Sequence, residues 1–150
     1  MSISRLIFMM LLIVILLWGA STLFSARTTA IQINTVSVVQ GFQVGNMMRF
    51  EIRKYHNDYG RLPASNSDLG LPAKETYADQ NLMSAGVGEN GLITLVYTKK
   101  SGVEGGVVQI VASMDEQSQD VLWGCRSSSY PSIQNFLPQC RYIPLNNSEK

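Results

Sequence analysis

The hydrophobic pattern of the chain changes its period twice. From Leu6 to Phe24 it reads "LIFMMLLIVILLWGASTLF", nineteen residues without a charge. As a helix rising ~1.5 Å per residue this stretch spans ~28 Å, about the thickness of a bilayer core. Gly19 and Ser21 offer one pair of small residues for signal cleavage. The run is longer than the core of a secretory signal, about 7–15 residues, and so reads as a retained membrane anchor. Further on, Val44, Met47, Met48, Ile52, Tyr55 and Tyr59 recur at spacings of three and four, with Arg49, Arg53, Lys54 and Asp58 on the opposite face. That is the period of an amphipathic helix. Its apolar members Val44, Met47, Met48, Ile52 and Tyr55 are expected to pack on the rest of the fold. The stretch before them is rich in β-branched residues and holds Gly41 and Gly45, each costing ~1 kcal/mol relative to alanine inside a helix. The expectation is one long helix, weak or bent near 41–45 and stopped at Gly60, with Pro63 unable to continue it.

Residues 64–80 have the Ser, Asn, Asp, Gly and Pro composition of a loop. After them the period becomes two. "LMSAGV" from Leu82 and "LITLVYT" from Leu92 flank an Asn90-Gly91 pair, a strong hairpin signal because both residues tolerate positive φ. "VVQIVAS" (Val107 to Ser113) and "VLW" (Val121 to Trp123) follow after polar turns. Alternation sets Leu92, Thr94, Val96 and Thr98 on one face and Ile93, Leu95 and Tyr97 on the other. Short connections imply an antiparallel meander of four strands, and the amphipathic helix is the natural cover for its buried face. The predicted fold is an α+β roll. Its expected layout is a short end at 1–5, the span at 6–24, the helix at 25–60, a loop at 61–81, the sheet at 82–124, a loop at 125–140 and a tail at 141–150.

Composition narrows the chemistry. Twelve basic and eleven acidic side chains give a formal net charge of +1, which argues against strong attraction to nucleic acid. Only four residues precede Arg5, too few to fold, so the bulk of the chain is expected across the membrane, where disulfides persist. Cys125 and Cys140 are the two cysteines. A bond between them would tie the tail back to the last strand and stabilise by roughly 3 kcal/mol in the chain-entropy model.

No nucleophile, base and orienting group occur as a set around the single histidine, His56, so no enzyme is expected. Two cysteines and one histidine do not make a closed metal site, and neither a cofactor nor a small-molecule substrate is implied. Asp115, Glu116 and Asp120 read as a solvated hairpin tip. Lys99, Lys100, Arg126 and Arg141 would form a small basic patch if the strand turn and the cysteine loop are adjacent, a weak nucleic-acid candidate.

Three passages together resemble a type IV pilin: "YHNDYGRLPASNSDLGL", "NGLITLVYT" and, most specifically, "LWGCRSSSYPSIQNFLPQCR". The similarity covers roughly residues 40 to 142. It implies a hydrophobic N-terminal helix running into a globular head, a four-stranded antiparallel sheet on that helix and a C-terminal loop closed by a disulfide. It also implies a single pass through the bacterial inner membrane, a periplasmic head, and pilins or pilus assembly proteins as partners. The N-terminus departs from the family pattern. No glycine precedes the apolar run, and no acidic residue occurs before Glu51, whereas pilins carry a cleavage glycine and a glutamate inside the apolar run. The expectation is an accessory or minor pilin held in the membrane. The alternatives are a genuine filament subunit on the surface and a membrane-tethered periplasmic binding module unrelated to pili.

Overall fold

The computed structural model describes residues 35–144 together with Met10. The predicted span at 6–24, apart from Met10, and the tail beyond 144 lie outside the described residues. Among those described, no helix is long and apolar enough to cross a membrane. The chain divides into two units, Met1–Ile33 and Asn34–Lys150, and the second holds the architecture that follows.

Helix α1 runs unbroken over 35–59 and ends at Gly60, whose N–H donates to the His56 carbonyl at 2.8 Å. Its buried stripe is Val38, Phe42, Met48, Ile52 and Tyr55, with Gly41 and Gly45 between them. The sequence reading placed Met47 on this face, and the structure corrects it. Met47 is 58% exposed, because neighbouring residues of a helix project ~100° apart and Met48 already takes the inward direction. Val44 is half-buried against the core. Tyr59 also points out, its ring 4.6 Å from that of Tyr55.

The sheet consists of β1 (Leu82–Gly88), β2 (Leu92–Tyr97), β3 (Val107–Met114), β4 (Val121–Ser127) and β5 (Cys140–Tyr142), in that spatial order. The first four form the antiparallel meander that the turns predicted. The Asn90-Gly91 turn takes φ of 56° and 68° as that pair allows. The fifth strand was not foreseen: it pairs with β4 in parallel. Nor does β4 stop at Trp123. Gly124 and Arg126 break the apolar run only because they face outward, while Val121, Cys125 and Ser127 point into the core.

Helix and sheet meet at unusually short range. A Cβ on Gly41 would lie 2.5 Å from Tyr97 Cε1 and 2.9 Å from Leu82 Cδ2. One on Gly45 would lie 2.6 Å from Ile110 Cδ1. The two glycines expected to weaken the helix are therefore where the sheet presses on it. Across this contact the Tyr97 hydroxyl donates to the Val38 carbonyl at 2.9 Å. Ile93, Leu95 and Tyr97 of β2 and Val108 and Ile110 of β3 complete the core beneath the helix.

A Gly41→Ala substitution is expected to destabilise the protein by about 1–3 kcal/mol, although alanine is the better helix former. Urea titration of the full-length protein in detergent checks this, and equal or higher stability would show that the contact is slack.

Candidate functional site

Strand β5 is held in place by chemistry rather than by a hairpin. Cys125 and Cys140 are register partners across β4 and β5 and are joined by a disulfide with Cα atoms 4.3 Å apart. The connecting loop is itself part of the core, contributing buried Tyr130, Ile133 and Leu137. The Tyr130 hydroxyl donates to Ser101 Oγ at 2.7 Å, bringing the loop against the β2–β3 turn. The Tyr130 ring stands edge-on to Tyr97, centroids 5.8 Å apart. Burial raises both tyrosine pKa values above the usual range, so each hydroxyl stays a neutral donor.

The outer face of the helix carries three exposed apolar side chains among polar ones such as Gln40 and Gln43. Val36, Met47 and Phe50 are 52%, 58% and 69% exposed. They lie eleven and fourteen positions from the first member, close to whole helical turns, so they share one face. The sequence reading missed Phe50 and Val36 as a surface. No apolar repeat marks this face in the sequence, because the exposed polar Gln40 and Gln43 lie between Val36 and Met47 on the same side and charges flank Phe50. The spacing sets Arg49 with Arg53, Lys54 and Asp58 opposite the apolar stripe, whereas its guanidinium lies over the Trp123 ring of β4, 4.9 Å from the centroid. Its Nη1 donates to Asn46 Oδ1 at 3.2 Å, and partial burial together with nearby Arg53 lowers its pKa.

The four basic residues fall at one end of the sheet. Lys99 and Lys100 occupy the β2–β3 turn, where Lys100 Nζ donates to Gln80 Oε1 at 2.7 Å. Arg126 and Arg141 are register partners on neighbouring strands, both exposed on the outer face, and Arg126 Nε donates to Gln109 Oε1 at 2.9 Å. A groove of about 500 Å³ runs beside Arg126 and Gln109, walled by Val107, Ser128 and Ile143. A second groove of about 670 Å³ lies where the 65–74 loop faces the outer side of β1 and β2, lined by Asn66, Lys74, Ser84, Gly86 and Thr94. Among the described residues no cluster of His, Cys, Asp and Glu could hold a metal ion.

These features define a class: a helix-on-sheet roll whose last strand is pinned by a disulfide. The family model of pilins, bacterial filament proteins, matches residues 37–141. The chain belongs to the pilin family. No curated protein matches it.

Replacing both cysteines by serine removes a loop-closing bond, and stability is expected to fall by about 3 kcal/mol. Limited proteolysis is then expected to cut within 128–139, and the wild-type protein to resist there. Equal resistance in both proteins would mean that packing of Tyr130, Ile133 and Leu137 alone holds the loop.

Proposed function

We propose that this pilin-family protein is a non-enzymatic accessory or minor pilin of a type IV pilus, anchored in the inner membrane by 6–24 with its head in the periplasm. The observation that carries this reading is the set of apolar side chains exposed on the outer face of the helix. Its inner stripe is satisfied by the sheet, while Val36, Met47 and Phe50 remain exposed and suit the helix of another pilin, for which apolar contact supplies the driving force. An accessory role rather than a standard subunit is favoured by the apolar run, which carries no carboxylate; the first acidic residue is Glu51. The resemblance ties filament docking to a glutamate in that run, paired with the amine of a neighbouring subunit, and a charge left unpaired there is costly. A genuine filament subunit is the second reading, because the exposed helix stripe would serve it equally. A module unrelated to pili has no support from a chain of this family.

Intact mass of the protein purified from membranes, taken together with its presence in sheared filaments, separates the two readings. A full-length chain confined to the membrane is expected, whereas a shortened, N-methylated chain in the filaments would overturn the accessory role. Phe50→Glu is expected to leave stability within about 0.5 kcal/mol, as an exposed position should. It should also reduce co-purification of pilins by about tenfold or more, the scale of one buried aromatic contact. Unchanged co-purification would rule out the helix stripe as the contact.

A further inference from the structure

Two Cys-Arg dipeptides occur in the chain, Cys125-Arg126 and Cys140-Arg141. Because β4 and β5 are parallel and the cysteines are in register, the arginines that follow them are in register too. They stand on neighbouring strands, ~4.8 Å apart in backbone, on the outer face. Such like charges repel unless an anion lies between them. Gln109 takes the Nε of Arg126, and Arg141 has no hydrogen-bond or ion-pair partner among the described residues. A groove of about 500 Å³ opens beside Arg126 and is lined in part by Gln109, Val107 and Ile143. This end of the sheet is set up for a carboxylate carried on a short protruding segment.

The opposite end of the same strands supplies such a segment. The β3–β4 turn holds Asp115, Glu116 and Asp120, and no basic residue occurs between Lys100 and Arg126. The turn is preorganised by its own hydrogen bonds: Asp115 N donates to the Asp120 carbonyl and Gln119 N to the Asp115 carbonyl, each at 2.9 Å. The Asp115 carboxylate accepts from Gln117 N and Ser118 Oγ, which holds its pKa below the usual range. Glu116 and Asp120 are left as free charges, since the one ion pair among the described residues is Lys74 with Glu75. Arg53, Lys54 and Arg61 lie toward the end of α1 but pair with none of these acids. Five residues of β4 lie between Asp120 and Arg126, and the six steps span about 20 Å of extended chain, so the turn cannot reach its own arginines.

We infer that the Arg126–Arg141 pair docks the Glu116–Asp120 turn of a second copy of this chain. Donor and acceptor sit at opposite ends of the sheet, so the contact is head-to-tail, and each bound copy leaves one of each kind open to the next. A head with a near-balanced charge and only two arginines in register suits a single carboxylate-bearing turn better than a polyanion, which needs many phosphate contacts. The inference rests on the reading of the chain as an accessory pilin that contacts other pilins and adds a surface through which copies of it pair with one another.

The test uses full-length protein, in two epitope-tagged forms, cross-linked with formaldehyde in native membranes. Arg126→Glu/Arg141→Glu alone and Glu116→Lys/Asp120→Lys alone are each expected to lower cross-linked dimers by about tenfold or more, since like charges then face each other. Co-expression of the two variants restores mixed dimers. Wild-type dimers also weaken as salt rises, because screening shortens from about 10 Å at 0.1 M to about 3 Å at 1 M. Alkylation of free thiols verifies that the disulfide forms in every variant; where it does not, Arg126→Gln/Arg141→Gln replaces the reversal, recovery in the mixture is then not expected, and dimers that survive this neutralisation overturn the inference. Unchanged dimers, or loss without recovery in the mixture, overturn the inference. So does arginine-dependent retention on DNA with dimers unaffected, which would assign the pair to a polyanion. Pilin co-purification is measured in the same membranes: pilins retained with dimers indifferent to the swap reject this contact alone. Pilins lost while the swap behaves as expected reject the accessory role alone.

Discussion

The rest of the head depends on the close approach of α1 to the sheet at Gly41 and Gly45. With no side chain at either position, the helix backbone comes near enough for the Tyr97 hydroxyl to reach the Val38 carbonyl. Tyr97 is fully buried between Leu82, the helix and the edge of Tyr130, so one aromatic residue joins helix, sheet and disulfide loop. Fixing the helix this way also fixes its rotation. Once 41, 45, 48 and 52 face the sheet, the ~100° step between residues turns 36, 47 and 50 to solvent. The exposed stripe is thus a geometric result of the glycine contact as much as of the apolar residues themselves.

The second constraint is the parallel strand. Two parallel neighbours need a crossover of a dozen or more residues, and 128–139 is only just that long. A three-residue strand on such a short connection contributes few ladder bonds of its own. The disulfide supplies the missing restraint at the first residue of β5, and Tyr130, Ile133 and Leu137 anchor the crossover in the common core. The sheet therefore ends on a strand whose register is set covalently.

Much of this was legible in the sequence. Alternation along β2 separated Ile93, Leu95 and Tyr97, the set that the structure buries, from Leu92, Thr94 and Val96, the Asn90-Gly91 turn identified its hairpin, and the three-and-four spacing located α1. The failures share one cause: local pattern weighs residues by their own chemistry and not by what faces them. Gly41 and Gly45 read as weakness because their value is the space they leave for Tyr97 and Ile110. Met47 read as core because it is apolar, although Met48 occupies the inward direction. Arg49 read as solvated because it is charged, although Trp123 offers its ring. Strand β5 had no pattern to show, since three residues cannot display a period of two.

The arginine pair lay at the limit of what a sequence can reveal. Cys125-Arg126 and Cys140-Arg141 are visible as dipeptides, and a disulfide between their cysteines was expected. Whether the arginines meet depends on strand direction. In an antiparallel pairing, the residue after one cysteine would oppose the residue before the other, and Arg126 would face Gln139. In the parallel pairing it faces Arg141. The direction of one three-residue strand therefore decides whether this face carries two scattered cations or a single doubly charged site. That direction follows from the crossover and its buried Tyr130, Ile133 and Leu137, so the charge pattern of the outer face is a consequence of packing in the core.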